Sequence, residues 1–438
     1  MRRELISRRV FFHYREGRKR YIPVALEPWV FTPPQRRWCA RLCAALERAA
    51  VAVFRARWKR PDLARLLPFR PDEEALLRRA YGRSFTRPET LFSRMDLAGA
   101  WTRPDWPASV RVLELNLVGI GAAYYMHAAG RAAAAWIAPE LECGGIRLVP
   151  EDDVLDLIRG RLLLHARRLG LPRARIALVE NRRILRGPFE FETMAEYWRR
   201  RGVDVVVADP IELRVRRGRL WARDVPVDVV YRDPTLAELL EGEKEGDDLR
   251  GMWWALRHNR VVSSLAGEVD HKAIMELLSN AQFADVLPPD VRRVLAGRIP
   301  WTRVVRDART AGPDGRLVDL AEYVRRNRRR LVLKPDRQYG GQGVLIGPRT
   351  RARDWEQAVE RALRAGGGWV AQEMVPLRRQ TVSFWFGGRL RSHLRYVVTG
   401  VHATENGVAV LARFSAEPVV NITRGGGVAP VLVAARNA

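Results

Sequence analysis

Residues 331–347 read LVLKPDRQYGGQGVLIG, a lysine inside an apolar run followed by Gly340, Gly341 and Gly343. Lysine carries a compact positive charge on a slender stem, and glycine lets backbone N–H groups approach an anion with no Cβ in the way. The combination suits the phosphates of a nucleotide. The competing reading is a strand-end lysine, Lys334, whose ammonium reaches water along its own stem. Residue choice draws attention to this position: of 77 lysines and arginines only five are lysines, at 19, 59, 244, 272 and 334.

Three other phosphate schemes fail. A P-loop needs Gly-Lys followed by Ser or Thr, and the chain has no Gly-Lys pair. A dinucleotide fingerprint sits between a strand and a helix, whereas this loop joins two apolar runs that both read as strands. The stretch YRDPT at Tyr231–Thr235 has the outline of a kinase catalytic loop, but Glu238 stands where the metal-binding asparagine belongs and the glycine loop follows it in the chain.

The elements that must position this loop form an α/β pattern. RVLELN at 111–116 reads as a strand, followed by a glycine turn and an alanine-rich helix through residue 138. A helix from Glu151 to Arg168 stops at Gly170, and RIALVE, ETMAEYWRRRG, VDVVVADP and VDVVYRD then alternate as strand, helix, strand and strand. Apolar strands of this kind suit a parallel sheet buried on both faces, a three-layer unit spanning about 145–260. Glu241–Arg250 reads as a solvated loop before a helix through MWWALRHN. DHKAIMELLSN and PPDVRRVLAGRIP read as helices, with Asp290 able to cap the second. LVLKPD and GVLIG read as a hairpin, a helix through ARDWEQAVERALRAGGG separates it from WVAQEMV, and the tail reads as antiparallel ribbon.

At 438 residues and 47% hydrophobic content, the chain has length for two or three folded domains. Its net charge of +27 invites a nucleic-acid partner. The arginines come in short scattered bursts, however, without aromatic interleaving or a DNA-reading motif, so solvated surface is the preferred reading. The first 21 residues lack an apolar core with a cleavage site, and Leu117–Ala138 is interrupted by His127 and Arg131. A cytoplasmic protein without a membrane partner is expected. Cys39, Cys43 and Cys143 show no paired spacing, which predicts reduced thiols and no zinc site.

VLKPDRQYGGQGV resembles the lysine strand and glycine loop of ATP-grasp ligases, and WVAQEMVP at Trp369–Pro376 resembles their adenine hinge. The resemblance implies that Gln372 to Val375 recognise adenine and that Glu373 takes the ribose hydroxyls; without it, Gln372 and Glu373 are a polar pair in a strand. After Glu373 only Glu405 and Glu417 are acidic, so the usual carboxylate-and-asparagine set is missing from the carboxyl end. Arg94 and Asp96 in SRMDLAG, with Glu114 and Asn116 in RVLELN, supply such a set near the amino end. That order is similar to circularly permuted ATP-grasp proteins related to glutathionylspermidine synthetase, over most of the chain from about residue 90.

The implied fold is α/β, with α+β character: a circularly permuted ATP-grasp with an inserted three-layer pre-ATP-grasp domain. Residues 1–144 would carry the metal-binding part, 145–260 the insert and 261–438 the nucleotide-binding part. Asp96, Glu114 and Asn116 would hold Mg2+, with Glu114 and Asn116 on one strand face. Lys272, Lys334 and the glycines would hold ATP, Arg94 and Arg413 would meet the transferring phosphoryl group, and Asn421, Gly425 and Gly426 would face substrate. The implied reaction is ATP-dependent joining of a small-molecule or peptide carboxylate to an amine through an acyl phosphate. A non-catalytic scaffold and a binder of an anionic polymer such as nucleic acid are the alternatives.

Overall fold

The computed structural model describes residues 11–13, 19–82, 87–136, 146–182, 190–386, 388–422 and 424–436. Cys143 and the first ten residues lie outside that set.

After a short antiparallel ribbon of Phe11–His13 and Lys19–Tyr21 come β1 (Trp29–Phe31) and α1 (Pro33–Arg57). Thr32 and Gln35 form a capping box at the start of α1, whose first turn tolerates Pro33 because that N–H has no helical partner. Cys39, Leu42, Cys43, Leu46, Ala50 and Val53 recur at helical spacing and are buried against the central sheet. Burial pushes the Cys39 thiol up to about 12, so it stays protonated.

Next come α2 (Pro71–Tyr81), β2 (Arg94–Ala98), β3 (Arg111–Asn116) and α3 (Ala123–Trp136). The middle of the chain supplies β4 (Ile146–Pro150), α4 (Val154–Arg168), β5 (Ile176–Val179), α5 (Glu190–Arg199), β6 (Val205–Ala208) and β7 (Val229–Arg232). These are followed by α6 (Leu236–Lys244), α7 (Arg250–Arg257) and β8 (Val261–Val262). Strands β8, β7, β5 and β6 pair in that order, all parallel, as the apolar runs predict. The expected loop at Glu241–Arg250 is helical as far as Lys244, because Thr235 and Glu238 close a capping box that launches α6 through it.

The last part runs through α8 (Ile274–Ser279), α9 (Pro289–Leu295), β9 (Thr302–Val304), β10 (Leu331–Pro335), β11 (Leu345–Ile346), α10 (Ala352–Arg364) and β12 (Trp369–Glu373). Asp290 does not cap α9. The helix begins at Pro289, which puts Asp290 inside the first turn, where it pairs with Arg48 of α1. The helix expected over DHKAIMELLSN is shorter than the pattern suggests, because Asp270 and His271 turn their side chains to other strands.

Strands β13 (Arg379–Phe386), β14 (Arg389–Thr404), β15 (Gly407–Ser415), β16 (Gly427–Ala429) and β17 (Val431–Arg436) close the chain. Two sheets matter for the site. One runs β16-β15-β14-β2-β3 with β13 also on β14, so β2 pairs directly with the carboxyl-terminal ribbon and β3 follows on its other side. The other runs β9-β12-β10-β11, antiparallel throughout. The two chain ends also meet where β17 pairs with β1 and β4. Among the described residues no helix is long and apolar enough to cross a membrane.

Candidate active site

Register assembles the floor of the site. Strands β2 and β3 pair Arg94 with Asn116 and Asp96 with Glu114, and alternate residues share a face, so all four project together. Arg94 Nη2 donates to Asn116 Oδ1 at 3.2 Å, and Asn116 Nδ2 donates back to the Arg94 carbonyl at 3.1 Å. Arg413 joins them from β15, reaching over β14 to place Nη2 2.7 Å from Asp96 Oδ1, where Arg94 Nε also donates at 3.0 Å. Gly400 of β14 leaves room for the Arg94–Asp96 contact. A Cβ there would lie 2.7 Å from Arg94 Cδ and 3.0 Å from Asp96 Oδ1, with no unusual backbone angle involved. Burial alone would raise the Asp96 pKa, but Arg413 and then Arg94 overcome it and hold the carboxyl well below the usual range.

The facing sheet brings the lysine. Lys334 Nζ donates to Gln372 Oε1 at 2.7 Å and to the Leu113 carbonyl of β3 at 3.3 Å, so it bridges the two sheets. Burial pushes its pKa down to about 8, while Glu114 acts in the opposite direction. Lys272 Nζ lies 3.0 Å from Glu114 Oε1 and donates to the Gln338 carbonyl at 2.6 Å. Gln372 Nε2 in turn donates to Thr302 Oγ1 at 3.1 Å.

Two aspartates, half-buried Asp270 and buried Asp336, which the sequence reading passes over, position Lys272. Asp270 accepts from the backbone N–H groups of Leu117 and Val118, at 2.6 and 3.2 Å, just beyond β3. Asp336, at the end of β10, accepts from the Ala273 N–H at 2.7 Å and has His271 Nδ1 at 3.2 Å. Residues 270–273 therefore clasp the floor strand to the lysine strand. Burial pushes the Asp270 carboxyl up to about 7. These contacts join segments more than 60 residues apart, and no local spacing announces them.

Between the sheets lies a cleft of about 660 Å³. Arg94, Asp96, Glu114 and Asn116 line it with Lys272, Lys334 and Arg413. Gly340 and Gly341 of the loop, Gln372, Glu373 and Val375 of the hinge, and Asn421 line it as well. Gly341 has a φ of +72°, open to glycine, and a Cβ there would lie 2.4 Å from Val419 Cγ1. Gly343 packs behind the loop against Pro335 instead of facing the cleft. Gly425 and Gly426 are also off it: their N–H groups donate to the Ile422 and Asn421 carbonyls, in a turn that returns the chain to β16. In the hinge, the N–H groups of Glu373 and Met374 donate to the carbonyls of Trp301 and Arg330.

Among the described residues no three His, Cys, Asp or Glu side chains gather as a metal centre. Asp96, Glu114 and Asn116 offer two carboxylates and an amide oxygen, hard donors of the number Mg2+ takes from a protein when phosphates and waters complete its shell. The donor set fits a phosphate-borne Mg2+ better than a resident all-protein metal.

No protein-family model matches the sequence, and no curated protein matches it. Among solved structures, a glutathione synthetase-like effector (GSS30) from Globodera pallida, in its apo form, matches with a TM-score of 0.60 and 9% identity, covering 98% of this chain and 94% of that chain. The chain shares the glutathione synthetase-like fold. A candidate γ-glutamylcysteine synthetase from Methylobacillus flagellatus aligns at 13% identity over 82% of this chain and 83% of that chain, but its TM-score of 0.39 is too low to carry an argument. At 9% identity the glutathione synthetase-like likeness concerns architecture alone, and the chemistry must be argued from the cleft.

Proposed function

We propose that this protein is an ATP-dependent ligase that joins a carboxylate to an amine through an acyl phosphate. One observation carries the reading: Lys334, Lys272, Arg94 and Arg413 converge with Asp96, Glu114 and Asn116 between two facing sheets, around a cleft of about 660 Å³. The glutathione synthetase-like fold supports it. The pairing of residues 95–97 with 399–401, which joins the 94–116 hairpin to the carboxyl-terminal ribbon in one sheet, supports a circularly permuted ATP-grasp, with 1–144, 145–260 and 261–438 as its metal-binding, inserted and nucleotide-binding parts.

In this reading Lys334, Lys272 and the N–H groups around Gly340 and Gly341 bind the triphosphate, and Gln372 to Val375 flank the adenine with Glu373 toward the ribose. Asp96, Glu114 and Asn116 hold Mg2+, which when bound neutralises phosphate charge. A substrate carboxylate oxygen attacks the γ-phosphorus and ADP departs. The amine then attacks the acyl carbon, phosphate leaves, and the amine nitrogen gives up a proton. Arg94 and Arg413 stabilise charge that grows on the transferring group, and such contacts accelerate only as far as they tighten in the transition state. Asn421, on the cleft wall, orients the substrate.

The test is ADP and hydroxamate formation from Mg-ATP, hydroxylamine and a panel of carboxylic acids, since hydroxylamine replaces the natural amine. Carboxylate-dependent hydroxamate supports the reading. Mg-ATP binding without any carboxylate-dependent ADP release points to the scaffold reading. Failure to bind Mg-ATP, with steeply salt-dependent binding of a polyanion, points to the polymer reading.

A further inference from the structure

We propose that the hairpin formed by β13 and β14 is an interfacial anchor that inserts its tip into an anionic lipid surface. The proposal does not depend on the ligase reading.

Among the described residues nine large apolar side chains are exposed, and four of them, Trp385, Phe386, Leu390 and Leu394, sit on this one hairpin at 46–56% exposure. A concentration of this kind marks an interaction surface more often than it occurs by accident. The register pairs Trp385 with Leu390 and Phe386 with Arg389. Alternation then places Trp385 and Leu390 on one face and Phe386, beside Arg389, on the other, so an exposed apolar side chain stands on each side of the tip. Behind and beside the tip stand Arg379, Arg389, Arg391 and Arg395, and no acidic residue occurs from Met374 to Thr404.

These two facts select the partner. A second copy of the chain would bring one uncompensated arginine cluster against another, which repel. A flat acidic protein surface would satisfy the arginines but cover only one apolar face of the tip. A lipid surface with anionic headgroups meets both requirements: acyl chains surround a tip with exposed apolar side chains on each face, and arginine heads, Arg389 among them, reach the phosphates while their stems stay among the apolar groups. This departs from the expectation of no membrane partner, which rests on the lack of an apolar span; an interfacial hairpin needs no span.

The test is co-sedimentation of the full chain with mixed phosphatidylglycerol–phosphatidylcholine vesicles and with phosphatidylcholine alone, at physiological salt. The parent is expected to partition onto the mixed vesicles and much less onto the neutral ones. The Trp385→Ser/Leu390→Ser double variant is expected to lose at least about tenfold of that partitioning, and Arg389→Gln/Arg391→Gln a similar factor on the anionic vesicles only. Melting temperature and Mg-ATP affinity serve as fold controls, because none of these four residues touches the cleft. Absence of binding by the folded parent overturns the proposal. So does binding that the serine variant retains, or an equally tight, arginine-dependent binding to polyglutamate or oligodeoxythymidylate, since either outcome makes the partner a polyanion that ignores the apolar tip.

Discussion

Asp96 in the cleft and Glu180 at the end of β5 are both acids withdrawn from water, and the protein treats them in opposite ways. Asp96 receives two guanidinium groups on one oxygen and stays ionised far below neutral pH. Glu180 has Arg182 at 3.6 Å as its one salt-bridge partner among the described residues, while burial first and then Glu192 and Asp233 push its carboxyl up to about 8. Asp233, similarly placed, is pushed up to about 7 by burial, then by Glu238 and Glu190. Burial alone thus does not mark functional charge. In the cleft, opposite charges are packed so that each stays charged and can be re-partnered by a ligand; in the parallel-sheet lobe, like charges are packed so that protons must be retained.

The largest effect should come from removing one member of the cleft set. Glu114→Gln, and Asp96→Asn, are expected to lower Mg-ATP-dependent ADP release by about a hundredfold or more, roughly 3 kcal/mol of transition-state stabilisation. Near-UV circular dichroism should remain that of a folded protein. Equal turnover in these variants would erase the distinction between the two regions.

The lobe should respond through stability. The folded protein holds a proton on Glu180 between its ordinary value of 4.5 and about 8, so folding is favoured at low pH by this group and the benefit is lost as pH rises through about 8. Glu180→Gln should flatten that slope and raise stability above pH 8, by on the order of 2 kcal/mol in denaturant unfolding. Asp96 has the reverse sign: its stabilisation is present above the ordinary carboxylate range and fades only in strong acid.

Lys334 titrates between the two extremes. With its ammonium depressed to about 8, triphosphate binding near that pH should draw in a fraction of a proton. The binding heat measured by calorimetry should therefore change with the ionisation enthalpy of the buffer, and Lys334→Arg should abolish the dependence.

The smallest effects come from one substitution made in two places. Gly400→Ala puts a methyl into the Arg94–Asp96 contact and should weaken Mg-ATP binding about tenfold, or roughly 1.4 kcal/mol. Gly130→Ala, within α3 and with open space around the new Cβ, should instead stabilise the fold by roughly 0.5 to 1 kcal/mol.

The sequence carries the parts of this account that depend on local patterning. Strand β3, the apolar strands of the parallel sheet, the lysine hairpin and the antiparallel tail all follow from periodicity over a few residues. So does the shared face of Glu114 and Asn116. What is hidden depends on which distant segments become neighbours. Gly400 looks like any strand glycine until β2 lies beside it, and Asp270 resembles a helix-start residue until the turn after β3 arrives. Gly425 and Gly426, expected from the family pattern to face substrate, instead use their N–H groups within their own turn. The aromatic and basic residues of the hairpin interleave only across two strands, so a reading along the chain finds scattered arginines.

The assignment of the cleft to nucleotide stands or falls on titration calorimetry of Mg-ATP into the parent protein and into Lys334→Ala. Micromolar, magnesium-dependent binding to the parent, absent from the folded variant, is expected. A folded parent that binds no Mg-ATP, or a variant that binds it as tightly as the parent, would contradict the assignment of the cleft.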